Sequence, residues 1–300
     1  MTAVLRADGL TKTFGSVRAL DSLDVEVPAG RIGFVGANGA GKTTFFRLVL
    51  GLIKPTSGQV EVLGRPVAAD PVGIRMSLGY MPEHDSLPGD QTAADVVATL
   101  GELSGLPARA ARQRASDVLN LVGLDEERFR PIATFSTGMK QRAKLAQALV
   151  ADPKLVLLDE PTAGLDPSGR DSMLELVRRL GDFGISVVMA THILEDVQRV
   201  CDYVVMVDGG RLVAAGPTAD LTADTAAVIV EVAAAARPLA IALEEAGLAC
   251  AIVDGHVEVT TTGPEDLDVI RDTVADLGLP LLRLATRGHS LDEVFRERAT

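Results

Sequence analysis

The chain has 300 residues, 47% hydrophobic and 23% charged, a balance that excludes extensive disorder and suits one large or two unequal domains. Its net charge of −12 argues against a nucleic-acid partner, and its two cysteines, Cys201 and Cys250, make no disulfide framework and fit a reducing cytosol. The opening MTAVLRADGL lacks the basic-then-apolar order of a signal peptide, and no stretch approaches the roughly 20 apolar residues of a membrane span, so the chain reads as soluble by itself.

Residues 2–31 contain short strand-like pieces, VLRADGL and then LDVEVPAG, which closes on a Pro and Gly turn. RIGFVGANGAGKTTFFRLVLGL reads as a buried strand, a glycine turn and a helix, and GQVEVLG as a further strand. Residues 91–129 change texture: TAADVVATLGELSG and ARAARQRASDVLNLVGL have helical periodicity and form a helical insert. FSTGMKQRAKLAQALVADP predicts a long helix with Ser136 at its N-cap. Next come a buried strand, KLVLLDEP, a helix over 168–181, the strand ISVVMATH, a helix from Leu194, and strands near 203–207 and 211–215. Strands alternating with helices imply a mainly parallel sheet covered on both faces. From about residue 222 the order is β-α-β-β-α-β, a small ferredoxin-like pattern, followed by a short helix in SLDEVFRER. Glu265, Asp266 and Asp268 read there as a solvated helix start.

GANGAGKT, residues 36–43, matches G-x-x-x-x-G-K-[ST] between a strand and a helix, the context a phosphate loop requires. Backbone N–H groups from Asn38 through Gly39, Ala40 and Gly41 to Lys42 can wrap a β-phosphate, with Gly36 and Ala37 opening the turn. Lys42 places a point charge on the β- and γ-phosphates, Thr43 offers its hydroxyl to Mg²⁺, and Thr44 can reach the α-phosphate. LVLLDE, residues 155–160, brings Asp159 and Glu160 to the carboxyl edge of the sheet. An acidic pair ending a strand is often only a solvated turn; beside a phosphate loop, Asp159 reads as a Mg²⁺ ligand and Glu160 as the general base toward water. None of the four histidines has metal-ligand spacing with cysteine or another histidine.

The order GANGAGKT, FSTGMKQR, LVLLDEP, AGLD and ATH resembles the nucleotide-binding domain of ABC transporters over about residues 4–217. That resemblance implies a P-loop ATPase core with an antiparallel β subdomain and a helical subdomain, binding ATP with Mg²⁺. Ser136 and Gly138 match the Ser and second Gly of the LSGGQ signature, which in that family closes over ATP held by a partner in a head-to-tail dimer. Phe135, Thr137 and Met139 depart from the motif. His192 matches the switch histidine at the γ-phosphate; alone, it could merely cap the next helix. Asp166 matches the loop connecting the two sites across the dimer. Phe14 matches the aromatic that stacks on adenine, although a lone Phe is more often core. Glu83, in LGYMPEHD, stands where the family has Gln, in the loop that touches Mg²⁺ and links the helical insert to the membrane partner.

The resemblance therefore implies an ATP-hydrolysing transporter subunit, of an exporter-like branch, that pairs with a second copy or a related ATPase subunit. It further implies work with integral membrane permease subunits on the cytoplasmic face of the cell membrane. The division expected is an ATP-binding domain over 1–221, its helical insert at about 84–150, and an accessory domain over 222–300.

Overall fold

In the computed structural model, which describes residues 3–222, 224–233, 235–263, 265–288 and 290–298, the chain forms two compact units. They are Met1–Thr218 with Phe295–Thr300, and Ala219–Val294. The final residues thus group with the first unit, whereas the sequence places everything from 222 onward in the second.

The first unit opens with β1 (Ala3–Phe14) and β2 (Val17–Pro28), a long antiparallel pair with several register shifts, where the sequence suggests only short pieces. With β4 (Ser57–Val62) and β5 (Arg65–Pro66) they make an antiparallel sheet in the order β2-β1-β4-β5. The second half of β2 alternates buried and solvated residues, one face covered and the other open, as a half-covered sheet demands.

The main sheet is built from β3 (Arg31–Val35), β6 (Leu78–Met81), β7 (Leu155–Asp159), β8 (Ser186–Thr191), β9 (Tyr203–Asp208) and β10 (Arg211–Pro217), in the order β10-β9-β3-β8-β7-β6. All pairs are parallel except β9 with β10. Every residue of β7 and β8 is buried, which explains their unbroken apolar runs: a parallel strand covered on both faces has no solvent side to mark with polar residues. Helix α1 (Lys42–Val49) follows β3 directly. Phe45 of α1 stacks on Phe34 of β3 with centroids 4.6 Å apart and planes at 2°, so the loop between strand and helix is anchored at both ends.

A short α2 (Pro71–Arg75) precedes β6. The insert contains α3 (Ala93–Leu103) and α4 (Ala108–Leu121), packed with α5 (Thr137–Leu149) around Val97, Leu119, Leu145 and Leu149. Helices α6 (Pro167–Asp182) and α7 (Leu194–Val200) fill the remaining crossovers, and α8 (Thr218–Leu221) follows β10.

The second unit contains β11 (Asp224–Val232), α9 (Ala236–Glu245), β12 (Cys250–Val253), β13 (His256–Thr260), α10 (Glu265–Asp276) and β14 (Leu281–Gly288); α11 (Leu291–Arg298) follows. Its antiparallel sheet has the order β12-β13-β11-β14, the ferredoxin-like arrangement read from the sequence. Among the described residues no helix is long and apolar enough to cross a membrane.

Strand β6 escapes a sequence reading because LGYM is too short to show a period and ends at a proline. Its Gly79 is forced by packing: a Cβ there would lie 2.1 Å from the carbonyl oxygen of Ala148 on α5. Backbone cannot yield as a flexible side chain can, so Gly79→Ala should cost about 1–3 kcal/mol of unfolding free energy in urea titration. A loss below about 0.5 kcal/mol, the scale of an ordinary surface change, would show slack between β6 and α5.

Candidate functional site

The carboxyl ends of β3, β7 and β6 meet at a cavity of about 300 Å³. It is lined by Asn38, Gly39, Gly41, Lys42, Thr43 and Thr44 from the glycine turn, by Asp159 and Glu160 after β7, and by Glu83 after β6. Ala19 of β2 completes the wall. Open parallel sheets gather ligands at this edge because strand ends and helix N-termini converge there.

The turn needs its glycines. Gly39 has φ +85° and Gly41, the N-cap of α1, has φ +100°. A Cβ on Gly41 would meet the Ala19 carbonyl at 2.5 Å, and one on Gly36 the Val207 carbonyl at 2.3 Å. Ala40 is buried, and its N–H donates to Ala37 at 3.1 Å, closing the turn.

Lys42 is buried. Its Nζ donates to the Gly36 carbonyl at 2.8 Å and stands 3.4 Å from Glu160 Oε1. Glu160 accepts from the Thr191 hydroxyl at 3.1 Å and lies 3.1 Å from His192 Nδ1. A carboxylate only accepts, so the Nδ1 proton belongs to His192 in that contact. Glu160 has φ +49°, a strained backbone for a side chain of this size, and its N–H donates to Ala190 at 2.8 Å, tying it to β8.

Asp159 is 1% exposed. Its Oδ2 accepts from Thr43 at 3.0 Å and from Tyr80 at 3.5 Å, while its buried Oδ1 has no hydrogen-bond partner among the described residues. Burial raises the Asp159 pKa; the Thr43 hydrogen bond opposes that, and the carboxylates of Glu83 and Glu160 reinforce it. Tyr80 is pushed up to about 12, first by burial and then by Asp159. An orphaned, buried carboxylate oxygen beside a threonine hydroxyl and a second carboxylate fits a divalent cation, since a hard cation takes oxygen ligands.

The remaining sequence candidates lie outside this cavity. Ser136 caps α5, accepting from the Met139 N–H at 3.3 Å, and with Gly138 it lines a separate depression beside Gly123, Arg142 and Leu165. Asp166 caps α6 through the Gly169 N–H at 3.0 Å. Phe14 is 47% exposed, with the Lys12 ammonium 4.9 Å from its ring centroid, so it is not a core residue.

Sequence reasoning missed Tyr80 and Thr191, which hold Asp159 and Glu160. It also missed the buried Asp196, which accepts from Thr162 at 2.8 Å and Arg170 at 2.6 Å and ties α7 to α6. Thr191 had a signal, its place beside His192. Arg170 and Asp196 had none, because each looks like an ordinary charge in a first helical turn.

A sequence profile described as "ABC transporter" matches residues 20–163. The daunorubicin resistance ATP-binding protein DrrA3 of Streptomyces coeruleorubidus is 33% identical over 297 residues, covering 97% of this chain and 94% of that protein. The Nod factor export ATP-binding protein I of Ralstonia nicotianae is 32% identical over 306 residues, covering 98% and 93%. Among solved structures, cbiO1 of Clostridium perfringens, part of the ABC transporter complex cbiONQ, superposes with a TM-score of 0.68 at 28% identity, covering 74% of this chain and 91% of that one.

The raised pKa of Asp159 gives a stability test. A carboxyl whose folded pKa lies above its unfolded one favours the fold when protonated and loses that contribution as pH rises through the folded pKa. At neutral pH, in EDTA and without nucleotide, Asp159→Asn should therefore raise stability by about 1 kcal/mol, the usual gain when a functional strain is relieved. The gain should shrink as pH falls through the raised pKa. Thermal melts of both proteins across pH measure it, and a gain that does not depend on pH would reject burial of the charge as the cause.

Proposed function

The chain belongs to the ABC transporter family of ATP-binding proteins, and we propose that it hydrolyses ATP to power export through separate membrane subunits. The supporting observation is that one cavity gathers the glycine turn, Lys42, Thr43, Asp159, Glu160 and Glu83. The membrane subunits are proposed to place this chain on the cytoplasmic face of the cell membrane, docked through the helical insert.

In this reading the ATP phosphates take the N–H groups of the 38–42 turn and the ammonium of Lys42. Thr43, Asp159 and Glu83 hold Mg²⁺, the orphaned Oδ1 of Asp159 being the observation that fits it. Bound there, Mg²⁺ would neutralise charge on the transferring phosphoryl group. Glu160 accepts the proton of the attacking water; the water oxygen bonds to the γ-phosphorus and the bond to the β-bridging oxygen breaks. The Thr191 hydroxyl and the His192 Nδ1–H aim the Glu160 carboxylate, and its strained backbone fixes it at the strand end. Phe14, solvent-exposed at the end of β1, stacks on the adenine.

Ser136 and Gly138 are proposed to act in trans, on ATP held by a second subunit arranged head to tail. They line a depression that shares no residue with the phosphate cavity of their own chain, and Ser136 sits at the positive end of α5, which suits a γ-phosphate.

Glu160→Gln should bind ATP within about twofold of the parent and lose hydrolysis by roughly 10²–10⁴, the usual span for a general base. Phosphate release and filter binding read the two quantities, and unchanged turnover would remove Glu160 from the role of base. For the trans arrangement, Lys42→Ala and Ser136→Arg should each be inactive alone. On mixing, one composite site receives both defects and the other neither, so activity should return. Tandem fusions carrying the two changes in the same half or in opposite halves decide the matter: equal inactivity would leave the trans assignment unsupported.

A further inference from the structure

Lys144, in the middle of α5, is a lysine only 2% exposed, yet it touches no carboxylate oxygen at ion-pair distance among the described residues. Its Nζ donates to the carbonyls of two successive residues, Pro82 at 2.9 Å and Glu83 at 2.7 Å. Burial lowers the pKa of this ammonium, while the carboxylates of Asp85, Glu83 and Asp159 work the other way. Burying an ammonium is costly unless its donors are used, and an ammonium that can serve two adjacent carbonyls offsets part of that cost.

The two carbonyls have a physical need for it. Strand β6 ends at Met81, so beyond it the ladder to β7 no longer supplies donors, and Pro82 has no N–H with which to extend pairing. The segment after Glu83 then runs over a cavity of about 320 Å³, bounded by Asp85, Leu87, Ile132 and the stems of Lys140 and Lys144. Leu87 packs against the apolar core, and the residues between it and Glu83 are exposed. The polar ties of this segment among the described residues include the Lys144 clamp, a salt bridge from Lys140 to the exposed Asp85 at 3.1 Å, and backbone bonds from Ala133 to Gly89 and Ile132 to Gln91 at the far end. Lys140 and Lys144 are one turn apart on the same face of α5, so one helix grips the segment twice. Of these ties only Lys144 reaches Glu83, whose side chain lines the phosphate cavity.

We infer that Lys144 is a positioning residue: by holding the Pro82 and Glu83 carbonyls it sets where the Glu83 carboxylate stands beside Asp159, and it thereby makes the cation end of the site depend on the position of α5. This rests on the proposed reading of Thr43, Asp159 and Glu83 as Mg²⁺ ligands. Lys144 neither lines the phosphate cavity nor touches the reacting atoms; it acts through the backbone of Glu83, which lines that cavity.

The test uses the full chain and two variants, Lys144→Met, which keeps the stem and removes the donors, and Glu83→Ala. Hydrogen exchange of the nucleotide-free protein should speed up in residues 82–90 of Lys144→Met and stay at parent rates in β7 and β8. Binding of a fluorescent ATP analogue should be unchanged in EDTA, because the glycine turn is intact. The Mg²⁺ concentration giving half of the Mg²⁺-dependent gain in binding should rise by about tenfold, the low end for loss of a group that orients a metal ligand. In the Glu83→Ala background, Lys144→Met should add nothing further to that midpoint. A lower melting temperature with an unmoved Mg²⁺ midpoint would overturn the inference, as would an equal shift with and without the Glu83 side chain. If Lys144→Met does not fold, Lys144→Gln, which keeps a shorter and neutral donor, is read by the same midpoint and the same double-mutant criterion. Should the parent itself show no Mg²⁺-dependent binding, the proposed cation site fails; a parent that shows it beside a variant that does not shift refutes the role of Lys144 alone.

Discussion

Two buried charges meet at the end of the parallel sheet: the ammonium of Lys42 and the carboxylate of Glu160, 3.4 Å apart with side chains 7% exposed. Neither ion is stable in a protein interior without a partner, so the elements that carry them must arrive in fixed register. Phe34 and Phe45 lock the ends of the glycine turn, and the Glu160 N–H bonded to Ala190 locks the end of β7 to β8. The order of β3, β8 and β7 at the centre of the sheet is what allows one strand to deliver the loop and another the carboxylates. A phosphate seated in the turn would compete with Glu160 for Lys42, so the contact that stabilises the nucleotide-free site is also one that substrate would weaken.

Stability is given up around that pair in two places. Glu160 holds a positive φ, and Asp159 keeps a buried oxygen without a hydrogen-bond partner among the described residues. Each would be easy to relieve by a local substitution, and neither lies far from the cavity. Glu160 is not the only positive-φ residue and Asp159 not the only orphaned side chain, but these two neighbours combine both features beside the glycine turn, which suits the proposed anion and cation site.

The glycine turn and the acidic pair after β7 were legible in the sequence because each depends on local chemistry: backbone conformation in the first, strand length and terminal charge in the second. The parallel sheet was legible from its unbroken apolar runs, and the ferredoxin-like unit from its order of periods. What escaped was either very short or mutual. LGYM has too few residues for a period, and the pairing of Arg170 with Asp196 or of Lys144 with the 82–83 carbonyls needs two segments at once. Lys144 was the hardest to see, because a lysine in KQRAKLAQ reads as one more solvated charge on an amphipathic helix. The change of texture near residue 222 lay within a few residues of the boundary between the two units, but the grouping of Phe295–Thr300 with the first unit is set by contacts that no local pattern records.

Helix α5 joins the two halves of the argument. Its first turn presents Ser136 and Gly138 to a depression away from the phosphate cavity of its own chain, and its middle holds the backbone of Glu83 at that cavity. Gly79 brings β6 so close to α5 that no methyl group fits between the strand and the Ala148 carbonyl, so helix and strand are in direct backbone contact. Under the proposed trans arrangement, ATP of a second subunit would meet the Ser136 end of α5, and a shift of the helix would reach the Glu83 end through the Lys144 hydrogen bonds. The route proposed for that coupling is the helix itself with its hydrogen-bonded lysine at mid-length. That route needs no separate relay of side chains, because the lysine that takes the Pro82 and Glu83 carbonyls lies on the same helix that Ser136 caps.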